Sequence, residues 1–340
     1  MKILFVLTII VAFLSGCSEK QESITLKVHH MLPPKATAHA KFLSPWCDKI
    51  AEESEGNIKC EIYPAMQLGG APGQLYDQVR DGVVDVTWTV PGYSAGRFPS
   101  IEAFELPFMM RTSEASSKAL WSYIQDNNID EFNDVHLLGV HVHGPGYFHM
   151  TNKPIKKLED LAGQKVRAPT RLTNKYLAAL GATPVGMPVP SVPEALAKGV
   201  IDGALVPYEI VPAIKANELT KFHSETDHDE NAIYTTTFVF AMNKEAYARL
   251  TPRQKEIIDN NSGLEVSGWI GKVFSEADAA GKGTVAVDSV NTISATELTR
   301  WKNAAQTVTD AWISEMNEKG KDGLALVSSA KALTEKFNAQ

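Results

Sequence analysis

The sequence predicts an α/β fold of two lobes that share a cleft. Three observations predict it. Strand-like and helix-like patterns alternate along the chain, which points to mostly parallel sheets. The 340 residues suffice for two domains. A short helical stretch runs into Gly82-Val83-Val84-Asp85, and a second runs into Gly199-Val200-Ile201-Asp202. Each places glycine at a helix end, where positive φ costs little. Each then opens a strand whose far end should reach a crevice.

The elements follow in order. Ile24–His30 alternates apolar and polar residues as a strand does. Residues 36–54 read as a helix that Pro45 should kink or divide. Ile58–Tyr63 is a strand. Residues 74–80 form a helix with Leu75 and Val79 on one face, ended by Gly82. Residues 83–90 are apolar enough for a strand buried on both sides. A helix is expected over 113–127 and a strand over 137–142.

The second stretch repeats the scheme. Strands are expected over 147–151, 165–168 and 200–206, with helices over 170–180 and 193–198 ended by Gly181 and Gly199. Residues 233–242 read as a further strand. Thr251-Pro252-Arg253-Gln254 has a cap, a proline at the first helical position and a glutamine at the third. The helix it opens should run to about Ala280, long enough to lie across two lobes. Ser294 and Glu297 form a capping box, stapled by Ile293 and Leu298, before an amphipathic helix bearing Trp301, Val308 and Trp312.

The N-terminal stretch predicts export from the cytoplasm. Residues 1–16 have one cation, Lys2, and an apolar run from Ile3 to Leu14, the pattern of a signal peptide. Leu14-Ser15-Gly16-Cys17 resembles a bacterial lipobox, which implies cleavage before Cys17 and lipid on its sulfur. A polar tether follows to Ser23. Cys47 and Cys60 remain, and in an oxidising compartment such a pair is more often bridged than free. The alternative is two buried thiols. Net charge is −7, or −8 once Lys2 is lost (−7 − 1), and no basic cluster suggests nucleic acid.

The segment Leu158-Glu159-Asp160-Leu161-Ala162-Gly163-Gln164-Lys165-Val166-Arg167-Ala168-Pro169 resembles a signature of the TRAP solute-binding family, the binding components of tripartite ATP-independent periplasmic transporters. Leu180-Gly181-Ala182-Thr183-Pro184-Val185 with Met187-Pro188, residues 195–203, and Leu106-Pro107-Phe108 agree with it in order and spacing. The resemblance implies a two-lobe periplasmic-binding-protein fold of type II-like form, hinged and closing on one ligand. It implies TRAP membrane subunits as partners, a periplasmic location, no cofactor, no metal and no enzymatic activity. The expected division is a leader over 1–16, an anchor and tether over 17–23, a first lobe over 24–145 with about 232–265, a second lobe over 146–231 with about 266–325, and a C-terminal segment over 326–340.

In that family an arginine matching Arg167 binds the ligand carboxylate. The residue itself fits the role, because a guanidinium offers a planar fork that meets a carboxylate with two parallel bonds. In the sialic-acid branch a second arginine stands where this chain has Tyr147, and an asparagine follows the Asp-Gly of the second lobe. Here Asp202-Gly203 leads instead into Ala204-Leu205-Val206-Pro207-Tyr208. Buried sugar hydroxyls need partners. A small monocarboxylate with an apolar or aromatic body therefore fits better than a sialate. Tyr147, Trp88, Tyr93, Tyr208, Glu209, His30 and Met187 are expected as further wall residues, Glu209 either orienting Arg167 or accepting from a ligand hydroxyl; core packing is the alternative for Trp88 and filler for Met187. His141, His143 and His149 lack a recognisable metal spacing, and His223 and His228 read as surface. Phe104 reads as core. The rival functions are an exported hydrolase, for which no Gly-x-Ser-x-Gly or His-Glu-x-x-His motif is present, and a binding protein for an ATP-driven importer or a sensor.

Overall fold

The computed structural model describes residues 23–340. The expected leader, the lipobox and Cys17 lie outside the described residues. The elements of the first half are β1 (Ile24–His30), α1 (Ser44–Glu53), β2 (Ile58–Tyr63), α2 (Leu75–Arg80), β3 (Val86–Thr89), α3 (Ser113–Asp126) and β4 (His136–Val142). Then come β5 (Gly146–Met150), β6 (Lys165–Ala168), α4 (Arg171–Ala179), β7 (Thr183–Gly186), α5 (Val192–Ala197), β8 (Gly203–Pro207), α6 (Ala216–Leu219) and β9 (Phe222–Glu225). The chain ends with β10 (Thr237–Met242), α7 (Lys244–Ala248), α8 (Pro252–Asn260), α9 (Gly263–Lys282), β11 (Val290–Thr292), α10 (Ala295–Glu318) and α11 (Gly323–Asn338).

Two sheets result, in the orders β2-β1-β3-β10-β4 and β11-β9-β5-β8-β6-β7. Pairing is parallel for β1 with β2 and β3 and for β6 with β7 and β8. The exceptions mark where the chain changes lobe. β5 enters the second sheet antiparallel to β8 and β9, and β10 returns antiparallel to β3 and β4. Each sheet thus holds a strand that arrives from the opposite direction, and the crossings at 143–145 and 226–236 lie side by side.

Several boundaries differ from the sequence reading, for physical reasons. β3 and β8 begin at Val86 and Gly203, later than expected. Gly82 and Gly199 do take positive φ, +73° and +67°, but the turn each one makes uses three more residues and leaves Val83 and Val200 exposed. β10 starts at Thr237 rather than 233. The helix expected to run from 252 to 280 is divided at Asn261–Ser262. The Asn261 carbonyl accepts from the Trp46 indole at 2.9 Å instead of continuing the ladder, and its amide caps α8 at Ile257 O.

The lobe-spanning helix is therefore α9 alone. It packs along α3 and β4 and ends against the turn after β8, so much of the segment assigned to the second lobe lies on the first. The C-terminal segment is the helix α11, also packed on α3. Ser294 caps α10 as expected, accepting from Glu297 N, but the Glu297 carboxylate does not close the box. It accepts from Leu158 N at 2.7 Å and Trp301 Nε1 at 3.1 Å. Pro45 does divide its helix: a π-helical turn, Ala38–Leu43, precedes α1. A disulfide joins Cys47 in α1 to Cys60 in β2, with Cα atoms 5.8 Å apart. Among the described residues no helix is long and apolar enough to cross a membrane.

Candidate ligand-binding site

Strand β6 sits between β7 and β8, and its three residues after Lys165 are buried. Arg167 is one of them, 2% exposed. Its Nε donates to Met187 O at 2.9 Å and its Nη1 to Leu205 O at 3.1 Å. Both acceptors are backbone carbonyls of neighbouring segments, so they aim the guanidinium without neutralising it. Among the described residues, no carboxylate makes an ion pair with Arg167. Arg171, one turn later, contrasts with it: that side chain is held by both Glu102 and Glu315.

The Arg167 head lies in the wall of a narrow cavity of about 40 Å³ between the sheets, partly open to solvent. The first lobe contributes Met31, Leu32, Trp88, Tyr93 and, from β10, Phe238; the second contributes Pro169, Val189, Val206 and Glu209; the crossings contribute His143, Tyr234 and Thr236. Trp88 and Phe238 are stacked, with centroids 4.9 Å apart and planes within 5°. The indole N–H is already used, donating to His141 Nε2 at 2.8 Å. These two rings therefore offer apolar surface.

Three polar groups accompany the arginine. Tyr93, from the turn Pro91–Tyr93, accepts from Val189 N at 3.0 Å and lies beside Arg167. Burial raises its hydroxyl pKa, and the guanidinium opposes that shift. Tyr234 donates to Leu205 O at 3.1 Å. His143 binds Gly144 O through Nδ1 at 2.5 Å, and burial pushes its ring down to about 4. It is therefore neutral near pH 7, as befits a base beside a cation.

Glu209 occupies the turn Tyr208–Ile210 that follows β8. Its N–H donates to Asp278 Oδ1 at 2.8 Å. Burial, then the Asp278 charge, pushes its carboxyl up to about 8. Asp278 reaches the turn from α9, and burial raises it to about 7. Close approach is possible because residue 281 is glycine: a Cβ there would stand 2.0 Å from Tyr208 O.

The lobes are closed on one another. Beyond the Tyr93–Val189 bond, Arg171 of the second lobe holds Glu102 of the first. Gly92 lies so close to Thr170 that a Cβ would come within 2.5 Å of its methyl.

Arg167, Trp88, Tyr93 and Glu209 are thus brought together around one cavity. The other expected wall residues are not. His30 ends β1 as expected but is sealed behind Trp88, with Nε2 on His39 Nδ1 at 2.9 Å and Nδ1 accepting from Leu32 N. Its neighbours Met31 and Leu32 reach the cavity instead. Tyr147 packs on Tyr208 and leans to an outer recess with Glu225 and Lys282. Tyr208 is buried between Tyr147 and His149. Met187 contributes its carbonyl rather than its side chain. Phe104 is core, packed on Tyr123. The histidines do not converge: His141 serves Trp88, and His149 pairs with His223 at 2.8 Å. His223, expected at the surface, is 2% exposed.

His143, Tyr234, Thr236 and Phe238 were missed by sequence reasoning. The rule applied to His30, that a strand end borders the crevice, points equally to His143 at the end of β4. The other three sit where β10 was expected as plain core strand, and only its position at a lobe crossing exposes them to the cavity.

Residues 28–316 match the profile of the family described as bacterial extracellular solute-binding protein, family 7. A TRAP solute-binding protein from Rhodoferax ferrireducens T118, crystallised with copurified benzoate, is 51% identical, with a TM-score of 0.91 over 93% of this chain and 99% of that one. A marine metagenome TRAP solute-binding protein specific for aromatic acid ligands, bound to 3-hydroxybenzoate, is 46% identical, with a TM-score of 0.90 and the same coverage. The TsaT protein of Comamonas testosteroni, called an outer membrane transporter protein, is 27% identical over 92% of each chain.

Proposed function

The chain belongs to family 7 of the bacterial extracellular solute-binding proteins, and from that premise we propose that it captures an aromatic monocarboxylate at Arg167 and presents it to TRAP membrane subunits. One observation carries the reading. Among the described residues Arg167 is a buried cation without a counter-charge, set in a cavity whose walls are largely apolar and aromatic. A buried charge is costly unless paired. A ligand carboxylate supplies the pair, and Arg167 keeps donors free of its two carbonyl bonds to meet it.

The body of the ligand follows from the walls. Trp88 and Phe238 line the cavity with aromatic carbon, and Met31, Leu32 and Val206 add aliphatic surface. Few polar groups remain for sugar hydroxyls, which disfavours a sialate. The ligands of the Rhodoferax and metagenome proteins support the same choice by similarity. Closure around the ligand excludes water and strengthens the arginine pairing. The membrane subunits would then recognise the closed surface. The Leu14-Ser15-Gly16-Cys17 stretch supports tethering to a membrane facing the periplasm through lipid on Cys17. Release of Cys17→Ala from membrane fractions would test that tether.

Calorimetric titration of the mature protein tests the ligand class. Benzoate is expected to bind with micromolar or better affinity and sialic acid to give no heat of binding. Silence with benzoate, or tighter binding of sialic acid, overturns the reading.

A further inference from the structure

We propose that Glu209 reads a hydroxyl group on the ligand, so that the protein prefers hydroxy-substituted aromatic acids to unsubstituted ones. The inference rests on the aromatic-acid reading above and goes further, to the second polar contact of the site.

Glu209 lines the same cavity as Arg167 and is 6% exposed. Its Oε2 has no hydrogen-bond partner in the protein. Thr37 of the first lobe hydrogen-bonds the same carboxyl group, and Asp278 is engaged with the Glu209 N–H, so it is Oε2 alone that is left over. Arg167 does not pair with it either. The cavity therefore holds a cation and a carboxyl group that remain apart.

Both side chains line the same cavity. Arg167 is bonded to Leu205 O, four residues before Glu209 along the chain. A ring whose carboxylate meets Arg167 would share its cavity with Glu209. The surfaces between, Trp88 and Phe238, are apolar. A phenolic hydroxyl both donates and accepts. An ionised Glu209 would accept from it, and a protonated one would donate to it. An unsubstituted ring instead leaves Oε2 buried against carbon, and sites built around a polar partner discriminate strongly against analogues that lack it. Thr236 Oγ1 is the other unpartnered oxygen in the wall and is the rival reader.

The test is a calorimetric panel of benzoate and ortho-, meta- and para-hydroxybenzoate, on the native protein and on Glu209→Leu and Glu209→Gln. At least one hydroxybenzoate should bind native protein about tenfold more tightly than benzoate, the worth of one well-placed hydrogen bond. The ratio of the two dissociation constants should fall to about one in Glu209→Leu. It should stay higher in Glu209→Gln, which keeps a donor and an acceptor. If benzoate binds and no hydroxybenzoate binds better, the proposal fails while the aromatic-acid reading stands. A ratio retained in Glu209→Leu also overturns it and moves the role to Thr236. If no member of the panel binds, both readings fall. Should Glu209→Leu not fold, the native panel and Glu209→Gln still decide.

Discussion

Arg171, at the start of α4, and Glu102, in the first-lobe turn Ile101–Glu105, form a two-pronged ion pair across the cleft, with Nε to Oε1 at 2.5 Å and Nη2 to Oε2 beside it. The third arm, Nη1, reaches Glu315 of α10 at 2.8 Å. Glu102 is 4% exposed, and burial pushes its carboxyl up to about 7 despite the arginine. This pair exists only with the lobes together, so it favours the closed state over the open one. Arg171→Ala should weaken benzoate binding about tenfold, for roughly 1.4 kcal/mol lost from closure. The effect should appear in the dissociation rate, measured by stopped-flow fluorescence. An unchanged dissociation rate would remove the latch from the account.

Arg167 makes the opposite case, a cation that the protein orients but does not neutralise. Arg167→Ala should raise the dissociation constant for benzoate a few hundred-fold or more, from the roughly 3–5 kcal/mol attached to a buried pair. Arg167→Lys keeps the charge and loses the fork, so its affinity should fall between the two. The alanine variant should melt no lower than the native protein, because it removes an uncompensated buried charge. Near-native affinity in the alanine variant, measured by calorimetry, would discard the role.

The arginine was legible in the sequence because the motif around it fixes both strand and position. Trp88 and Tyr93 were legible because they close a recognisable strand. The same logic placed His30 at the cavity, and it failed there for a reason the chain order hides. His39, nine residues on in the turn before α1, takes the ring and pulls it behind Trp88. Tyr147 failed similarly, drawn outward by packing on Tyr208. Thr236 and Phe238 reach the site only because β10 crosses back into the first sheet, a pairing at long range that no local pattern reports. The division of α8 from α9 depends on Trp46, more than two hundred residues away, accepting the role of helix stop.

The Cys47–Cys60 bridge closes a loop of 13 residues between α1 and β2. Loops of that size constrain the unfolded chain by about 3 kcal/mol. Reduction, or the paired substitution Cys47→Ala with Cys60→Ala, should lower stability by that order in urea titration. Neither cysteine touches the cavity, so benzoate affinity should be unchanged. A large loss of affinity on reduction would mean that α1 couples to the site in a way the fold does not suggest.

The carboxyl groups of Glu209 and Asp278 give stability a distinctive pH dependence. Burial first, and Asp278 second, raises Glu209 from 4.5 to about 8; burial raises Asp278 from 3.8 to about 7. An acid whose folded pKa is raised holds its proton more tightly when folded. Its contribution is complete below the unfolded value and is lost as pH climbs through the folded one. The buried histidines run the other way. His141, His143 and His149 are pushed down to between about 3 and 4, chiefly by burial. What they contribute is present above about 6.5 and is lost on acidification. The two effects oppose each other in mild acid, whereas above about pH 6.5 only the acids remain in play. Native protein should therefore lose stability between about pH 6.5 and 8.5, and Glu209→Gln, which cannot ionise, should lose less, by on the order of 1–3 kcal/mol. Urea unfolding at the two pH values measures the difference. Parallel losses in the two proteins would show that Glu209 keeps an ordinary acidity in the folded chain and that its turn tolerates the charge beside Asp278.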